Sequence, residues 1–272
     1  MISAYTLLCC PICKTAVDEA LMCSSCKEGY ALIEGVYVMI GSKLSHKEWR
    51  WDKSIFSDRK IEKLKQQYKR YINKETRDAQ KIWLNEMKNY IDNFQGFIVD
   101  IATGLGGMFE TLLKSKAIFF PIATDVDPNV LVWTKRKMEE KYSKEFLAVA
   151  SDVKHLAFKD DFFDYATSMA GFNNIPDTAL ALKEVYRTLK HGGKLVVMHS
   201  FVEQNSNSAK LARQHSFERA CIEKCLINDL TKIGFKNTKT DIVASAIWAE
   251  NPMDLFPVAG DTQYYAIVEA EK

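Results

Sequence analysis

Four cysteines near the N-terminus are arranged as two closely spaced pairs. Cys10 and Cys13 have two residues between them, and Cys23 and Cys26 repeat this spacing after nine intervening residues. Two such turns present four thiolates, the ligand set of a tetrahedral zinc site that leaves no position open for water. We therefore predict structural Zn²⁺ at these four residues, with four buried free thiols as the alternative. Cys9 is the spare cysteine, because using it in place of Cys10 gives a less typical turn with three intervening residues.

A glycine-rich turn follows an apolar run in the stretch FIVDIATGLGGMFETLL, residues 97–113. The run ends at Asp100, then Gly104, Gly106 and Gly107 follow, and a helix-like pattern begins. This order of strand, glycine loop and helix is typical of a nucleotide-binding α/β unit, because glycines let a ligand approach the backbone at a helix N-terminus. The loop alone does not separate NAD enzymes, flavin enzymes and methyltransferases.

Two carboxylates at predicted strand ends help to choose among these ligands. Asp100 would repel the pyrophosphate of a dinucleotide, whereas S-adenosylmethionine carries a sulfonium and an ammonium group and no phosphate. Asp125 lies nineteen residues after Gly106, at the end of the next predicted strand, where a carboxylate can accept hydrogen bonds from both ribose hydroxyls. Taken singly, either acid is also explained as a helix cap or a solvated strand end. Together, and in this order at strand ends, they indicate a ligand site. Asp100 favours S-adenosylmethionine, whereas a ribose-binding acid at Asp125 suits either ligand class.

Strand and helix patterns alternate over residues 95–272, which predicts a doubly wound, mainly parallel sheet. A helix is predicted over 178–193, ended by Gly192 and Gly193. Because ligands of such sheets bind at the carboxyl ends of the strands, the glycine turn and both carboxylates should meet at that edge. The predicted strands are 96–102, 119–128, 145–152, 162–170, 194–202, 233–245 and 263–272.

Several of these motifs, in this order, resemble class I S-adenosylmethionine-dependent methyltransferases (type 11-like) over residues 96–272. The family's first motif, an acid followed by alternating glycines, is similar to DIATGLG, and its later acids resemble Asp125 in ATDVDP and Asp152 in ASDVKHLAF. Its fifth-strand region is similar to LKEVYRTLKHGGKLVV. Ala102 stands where the first glycine usually lies, so its methyl group should narrow the loop and affect cofactor affinity. The resemblance implies ten cofactor-binding residues: Asp100, Ala102, Thr103, Gly104, Gly106, Asp125, Val126, Asp152, Val153 and Met169.

The resemblance also implies a Rossmann-like, seven-stranded sheet for residues 95–272, the methyltransferase domain. We predict that residues 1–40 form a small zinc ribbon with two strands joined by a turn at Gly35, and that residues 41–94 form a helical cap or linker. Loss of the zinc site should then unfold the ribbon and leave the large domain folded.

Two amphipathic stripes predict the helices of the 41–94 segment. Residues 43–88 hold fourteen Lys or Arg against seven Asp or Glu, so this segment carries +7 and the rest of the chain −5, for a net charge of +2. The simplest interpretation is a pair of helices packed on the main domain with a solvated basic face. The alternative is a basic, aromatic lid, with Trp49, Trp51, Tyr68 and Tyr71, that closes over a cofactor or contacts nucleic acid. The stripes are Ile61, Leu64, Tyr68 and Tyr71, then Leu84, Met87, Ile91 and Phe94.

The methyl acceptor is not identified by any motif. Asn173, Asn174, His199 and His215 should lie near the carboxyl edge of the sheet, but each histidine is more simply a loop or rim residue, and we assign no catalytic residue. MAGFNN stands where an Asn-Pro-Pro-Tyr-like motif would mark amino-group methylation. We favour a small-molecule acceptor. The alternatives are ribosomal RNA, by resemblance to zinc-ribbon guanine-N1 methyltransferases, and a protein that binds S-adenosylmethionine without turnover.

The composition of the 272 residues predicts a soluble, cytoplasmic protein. No apolar run approaches the roughly 20 residues that a membrane helix needs, and the start of the chain lacks the basic region of a signal peptide. Paired cysteines in a reducing compartment bind metal more often than they form disulfides. These features predict that the protein has no membrane partner. The resemblance described above implies a small molecule or RNA as the partner.

Overall fold

One nine-stranded sheet organises residues 4–42, 52–175 and 177–272, the part of the chain that the computed structural model describes. The predicted residues Trp49 and Trp51 lie outside this part. The strands are β1 (Ala31–Ile33), β2 (Val36–Val38), β3 (Gly96–Ile101), β4 (Phe119–Asp125), β5 (Leu147–Ala150), β6 (Phe163–Met169), β7 (Leu189–Val202), β8 (Lys236–Ile247) and β9 (Thr262–Glu271). The α-helices are α1 (Asp58–Tyr71), α2 (Lys74–Ile91), α3 (Gly107–Lys114), α4 (Pro128–Lys141), α5 (Thr178–Thr188), α6 (Asn207–Gln214), α7 (Glu218–Cys221) and α8 (Glu223–Ile233).

The strand order is β1-β2-β5-β4-β3-β6-β7-β9-β8. The pairs from β2 to β7 along this order are parallel, and β9 runs antiparallel to both β7 and β8. The seven strands from β5 to β8 are those predicted from the sequence, so the predicted fold class is confirmed. The order reverses at β3 and β4, which places the predicted ligand site at the carboxyl ends of these strands.

Two apolar layers cover the two faces of the sheet. Along β3, Ile98 packs with one layer, while its neighbour Val99 packs with the other, as the two-residue period of a strand requires. One layer contains Val185 of α5 and Leu230 of α8. The opposite layer contains Leu131 of α4, together with residues of α2 and α3.

The zinc-ribbon segment is continuous with this sheet. β1 and β2 form the expected hairpin around Gly35, and β2 then pairs in parallel with β5. Leu7 and Leu8 are fully buried in the same layer as α5 and α8. The predicted domain boundaries stay a prediction, but residues 4–42 have no core separate from that of the sheet.

The two predicted cap helices have different surroundings. α2 buries its stripe, with Met87 and Ile91, against the β8–β9 part of the sheet, and Trp83 donates from Nε1 to the Ala266 carbonyl oxygen at 2.7 Å. Trp83 was absent from the predicted stripe. α1 buries only Ile61 fully and crosses the carboxyl edge of the sheet. Its remaining stripe residues, Leu64, Tyr68 and Tyr71, are half-buried.

The predicted helix over 178–193 was too long at its C-terminal end. α5 ends at Thr188, and Gly192 and Gly193 lie within β7. A side chain at Gly193 would lie 3.0 Å from the Phe163 carbonyl oxygen, so the glycine lets β7 pass close to β6 at a register shift. The paired glycines therefore serve the strand and not the end of the helix.

Within the described residues, no helix combines the length and the hydrophobicity needed to cross a membrane.

Candidate cofactor site and four-cysteine cluster

The glycine loop between β3 and α3 is fixed to the end of β4 by hydrogen bonds. The Thr103 amide donates to the Thr124 carbonyl oxygen at 2.9 Å, and the Thr124 amide donates to Thr103 Oγ1 at 3.1 Å. The Gly104 amide donates to Asp125 Oδ2 at 2.9 Å. These bonds hold the loop and the β4 carboxylate together before any ligand binds, which lowers the ordering cost of binding.

Two glycines stand where neighbouring elements approach this loop. Gly106 caps α3 with a φ of 84°, a left-handed conformation that favours glycine. A Cβ on Gly107 would overlap Met169 Cε, the flexible end of a side chain at the end of β6. The backbone conformation therefore favours glycine at 106, whereas at 107 glycine only makes room for the Met169 side chain.

Ala102 occupies the left-handed region, with a φ of 52°, which favours glycine. Its methyl group is accommodated because Gly171 lies opposite: a Cβ on Gly171 would be only 2.7 Å from the Ala102 Cβ. Gly171, 69 residues later in the chain, therefore leaves room for the methyl group that was expected to narrow the loop.

A cavity of about 510 Å³ lies against this loop, within the usual size range of small-molecule sites. Eight of the ten predicted cofactor residues line it, and Asp100 and Gly106 do not. Those eight are Ala102, Thr103, Gly104, Asp125, Val126, Asp152, Val153 and Met169.

Asp100 is fully buried behind the loop and not on the cavity wall. Its Oδ1 accepts a hydrogen bond from Thr167 Oγ1 at 3.1 Å, and its Oδ2 has no hydrogen-bond partner within the described residues. Burial raises the pKa of this carboxyl to about 7. In this arrangement Asp100 shapes the charge beneath the loop, and its predicted contact with the cofactor stays a prediction.

Asp125 stands half-buried on the cavity wall with both carboxylate oxygens engaged. Oδ2 accepts from the Gly104 amide, and Oδ1 accepts from the Asp127 amide at 3.0 Å. Burial raises its pKa, and these amide bonds oppose that rise. Each carboxylate oxygen has a second lone pair, so the group retains the capacity to accept two ribose hydroxyls.

Several lining residues were not predicted from the sequence. Lys65 reaches the cavity from α1, with its Nζ 5.7 Å from the centre of the Trp133 ring. In the sequence, Lys65 is one of the lysines of the basic segment 43–88, and no local pattern distinguishes it from the other lysines of that segment. Asn174, expected near the acceptor, and Gly107 of the glycine loop also line the cavity, and the remaining lining residues, which were not predicted, are Leu105, Glu110, Thr124, Ser151, Ala170, Gly171 and Ile175.

Two of the residues considered near the acceptor form a buried structural pair. His199 Nε2 lies 2.5 Å from the Ala220 carbonyl oxygen and 3.2 Å from Asn173 Nδ2. Burial lowers the pKa of His199 to about 4, so the imidazole is neutral at neutral pH and donates to that carbonyl. His215 is exposed at the end of α6, whereas Asn174 lines the cavity.

The four predicted zinc ligands come together at the N-terminus. The Sγ atoms of Cys10, Cys13, Cys23 and Cys26 all lie within 4.8 Å of one another, and three of the six pairs are 3.4–3.8 Å apart. Tetrahedral zinc with bonds of about 2.3 Å places its sulfurs about 3.8 Å apart, so the donor set fits this metal. Tyr30 adds a hydroxyl 3.0 Å from Cys10 Sγ.

Both cysteine turns have the same backbone geometry. Residue 14 donates to the Cys10 carbonyl oxygen and residue 27 to that of Cys23, and Lys14 and Lys27 both have φ near 60°. Cys9 is buried outside the cluster, and burial raises its pKa to about 11. The choice of Cys10 over Cys9 thus agrees with the geometry.

Solved structures share this fold. Phosphoethanolamine N-methyltransferase 2 of Haemonchus contortus, in complex with S-adenosyl-L-methionine, superposes with a TM-score of 0.54 at 16% identity, over 70% of this chain and 52% of that one. The [4+2]-cyclase SpnF gives a TM-score of 0.54 at 19% identity, over 69% of this chain and 80% of that one. Because one fold serves a transferase and a cyclase, it does not by itself define the reaction.

Sequence relatives narrow the family. The ubiquinone/menaquinone biosynthesis C-methyltransferase UbiE of Rickettsia typhi is 32% identical over 123 residues, which is 43% of this chain and 50% of the relative. The chain thus spans about half the length of the curated relatives it matches. Residues 56–232, which include α1, the glycine loop and the cavity-lining acids Glu110, Asp125 and Asp152, match the ubiE/COQ5 methyltransferase family. The chain belongs to the ubiE/COQ5 methyltransferase family.

Proposed function

We propose that the chain binds S-adenosylmethionine in the 510 Å³ cavity and transfers its methyl group to a small molecule. The observation that carries this proposal is the Asp125 carboxylate, held on the cavity wall by the amides of Gly104 and Asp127. A ribose needs an acceptor of this kind, and the family match favours a sulfonium cofactor over a dinucleotide.

The bound cofactor supplies an activated methyl group, so the protein mainly aligns donor and acceptor and excludes water. The glycine loop offers backbone amides, Asp125 and Asp152 orient the nucleoside, and Lys65 brings a positive charge from α1 to the same cavity. Methyl transfer breaks the sulfur–carbon bond, and its electron pair stays on sulfur.

We propose a carbon atom of a quinone-class ring, in its electron-rich reduced form, as the acceptor. The support is the activity of the relatives, which are C-methyltransferases of ubiquinone and menaquinone biosynthesis. This support favours a small molecule over the ribosomal RNA alternative and over a binder without turnover.

We further propose a structural Zn²⁺ at the four-cysteine cluster. The support is the match of sulfur separations and of the two backbone turns to a tetrahedral thiolate site. None of the four cysteines lines the cofactor cavity, so no catalytic step is assigned to the cluster.

The test uses methyl-labelled S-adenosylmethionine with two acceptors in parallel, the bicyclic hydroquinone 1,4-naphthalenediol under nitrogen and total ribosomal RNA. We expect label in a ring-methylated diol, identified by mass spectrometry, and none in RNA. Label in RNA alone would reject the small-molecule proposal. Absence of S-adenosylmethionine binding would reject the proposed function itself.

A further inference from the structure

A second, smaller chamber adjoins the cofactor cavity. Its volume is about 180 Å³, and it shares Ala170 and Asn174 with that cavity. The space is smaller than most ligand sites, which suits a molecule of one or two rings. A molecule in this chamber would therefore sit beside a cofactor bound at the glycine loop.

Aromatic side chains from four parts of the chain form the walls. Tyr68 comes from α1, Trp83 from α2 and Tyr265 from β9, while Trp248 and Phe256 come from the connection between β8 and β9. Flat walls of this kind bind a planar ring by stacking and edge contacts.

One carboxylate stands in this aromatic surrounding. Asn251 Nδ2 donates to Asp254 Oδ2 at 2.8 Å, and the Tyr68 hydroxyl also hydrogen-bonds this carboxyl. Burial raises the pKa of Asp254 above its ordinary value, while the bond from Tyr68 opposes that rise. A carboxylate with a raised pKa is a better proton acceptor than a solvated one.

One indole also belongs to the chamber wall. Trp248 is 5% exposed, and its Nε1 is buried without a hydrogen-bond partner among the described residues. Because this nitrogen is buried, Trp248 contributes an apolar ring to the wall and no donor to a ligand.

The charges of the lining restrict the ligand further. Among the described residues that line the chamber, none is Lys, Arg or His. Burial raises the pKa of Tyr68, Tyr265 and Cys221, so these groups stay protonated at neutral pH. Asp254 is the only charged group among these lining residues, so an anionic ligand is repelled, whereas a neutral hydroxylated ring finds a proton acceptor and aromatic walls.

We propose that this chamber is the methyl-acceptor site, that it takes a neutral hydroxylated aromatic ring, and that Asp254 receives the hydroxyl proton of that ring. This inference rests on the proposed function. The O–H bond breaks toward Asp254, ring electrons form the new carbon–methyl bond, and the sulfur–methyl bond breaks with its pair on sulfur. The C–H proton of the methylated carbon then moves to the ring oxygen, and the proton on Asp254 leaves to water.

The experiment measures methyl transfer from labelled S-adenosylmethionine to 1,4-naphthalenediol under nitrogen. For Asp254→Asn we expect kcat to fall about 10²–10⁴-fold, the usual contribution of a general base, with the cofactor Kd unchanged. Asp254→Glu should restore part of that loss. Asp92→Asn, at an exposed position at the end of α2, is the matched control and should keep wild-type kcat.

A second variant tests the ring-binding role of Trp248. Trp248→Leu removes the aromatic face and keeps an apolar wall, so KM for the diol should rise by up to about tenfold, the scale of an aromatic contact, with kcat nearly unchanged.

Four results would overturn this inference. These are wild-type kcat in Asp254→Asn, a loss of cofactor affinity in that variant equal to its loss of turnover, an unchanged KM in Trp248→Leu, and no transfer to the diol by wild-type protein that binds S-adenosylmethionine. Failure of the wild-type protein to bind the cofactor would instead refute the proposed function.

Discussion

At the scale of single residues, Asp125 connects the loop, the strand and the proposed ligand. Its two oxygens accept the Gly104 and Asp127 amides and retain lone pairs toward the cavity. We expect Asp125→Ala to weaken S-adenosylmethionine binding by about 1.5–3 kcal/mol, the scale of hydrogen bonds to a charged group. Isothermal titration calorimetry measures this change. Unchanged affinity, with Asp92→Asn as the control, would reject the ribose assignment.

Ala102 and Gly171 form a coupled pair. Gly171→Ala would bring two methyl carbons within about 2.7 Å and press on Ser168 Oγ, so we expect a loss of about 1–3 kcal/mol in the free energy of unfolding. In an Ala102→Gly background part of this loss should disappear, because one of the two contacts is gone. Urea unfolding of the four proteins in the cycle gives the coupling, and simple additivity would contradict the proposed compensation.

His199 should make the protein sensitive to mild acid. Its pKa is about 4 in the folded state, against about 6.5 when unfolded. The neutral imidazole thus contributes stability that is fully present above pH 6.5 and is lost as pH falls toward 4. The loss amounts to about 3 kcal/mol. In His199→Gln this part of the pH dependence should vanish, whereas exposed His215→Gln should follow the wild type. If the free energy of unfolding showed the same pH dependence in the wild type and in His199→Gln, His199 would not be the source of the acid sensitivity.

The amino-acid sequence predicted only some of the residues at the candidate site. Asp125 and the loop glycines were found because their order along the chain is itself a motif. Lys65 and Asp254 lie 39 residues before and 150 residues after Gly104, and only the crossing of α1 and the β8–β9 connection brings them near the site. Such placement is a product of tertiary packing, which no local pattern encodes.

At the scale of elements, α2 is fixed to the sheet by a buried hydrogen bond. Trp83→Phe removes the donor to Ala266 and leaves a small void, so we expect a loss of about 1–3 kcal/mol in unfolding free energy. Trp133→Phe is the matched control, because its Nε1 donates at 3.3 Å to Asp58, whose carboxylate is exposed. If Trp83→Phe and Trp133→Phe lost equal free energy of unfolding in urea, the buried Trp83 hydrogen bond would not be the contact that stabilises α2 on the sheet.

The sequence periods of α2 and the central strands were strong enough to predict these elements. The end of α5 was misjudged because paired glycines are a common helix stop, whereas here Gly193 serves the close approach of β7 to β6. Strand pairing of distant segments outweighed the local signal.

At the scale of the whole molecule, the ribbon and the sheet share one core. β2 pairs with β5, and Lys14 forms an ion pair of 2.7 Å with Glu184 on α5. Disruption of the cluster by Cys13→Ser should therefore lower the melting temperature of the whole protein in a single transition, in contrast to the independent ribbon expected from the sequence. Differential scanning calorimetry measures the number of transitions. Cys225→Ser is the control, because Cys225 is half-buried and lies outside the cluster. Cys9 is buried and is therefore not suitable as a control. Two separate transitions would restore the independent-ribbon prediction.

The central claim is that the cavity at the ends of β3 and β4 holds S-adenosylmethionine. The most direct measurement is calorimetric titration of the zinc-loaded, wild-type chain with S-adenosylmethionine and, separately, with NADH. The account predicts one S-adenosylmethionine per chain and weaker or undetectable NADH binding, because the chain matches a methyltransferase family over residues 56–232. NADH binding more tightly than S-adenosylmethionine, or no binding of S-adenosylmethionine at all, would contradict it.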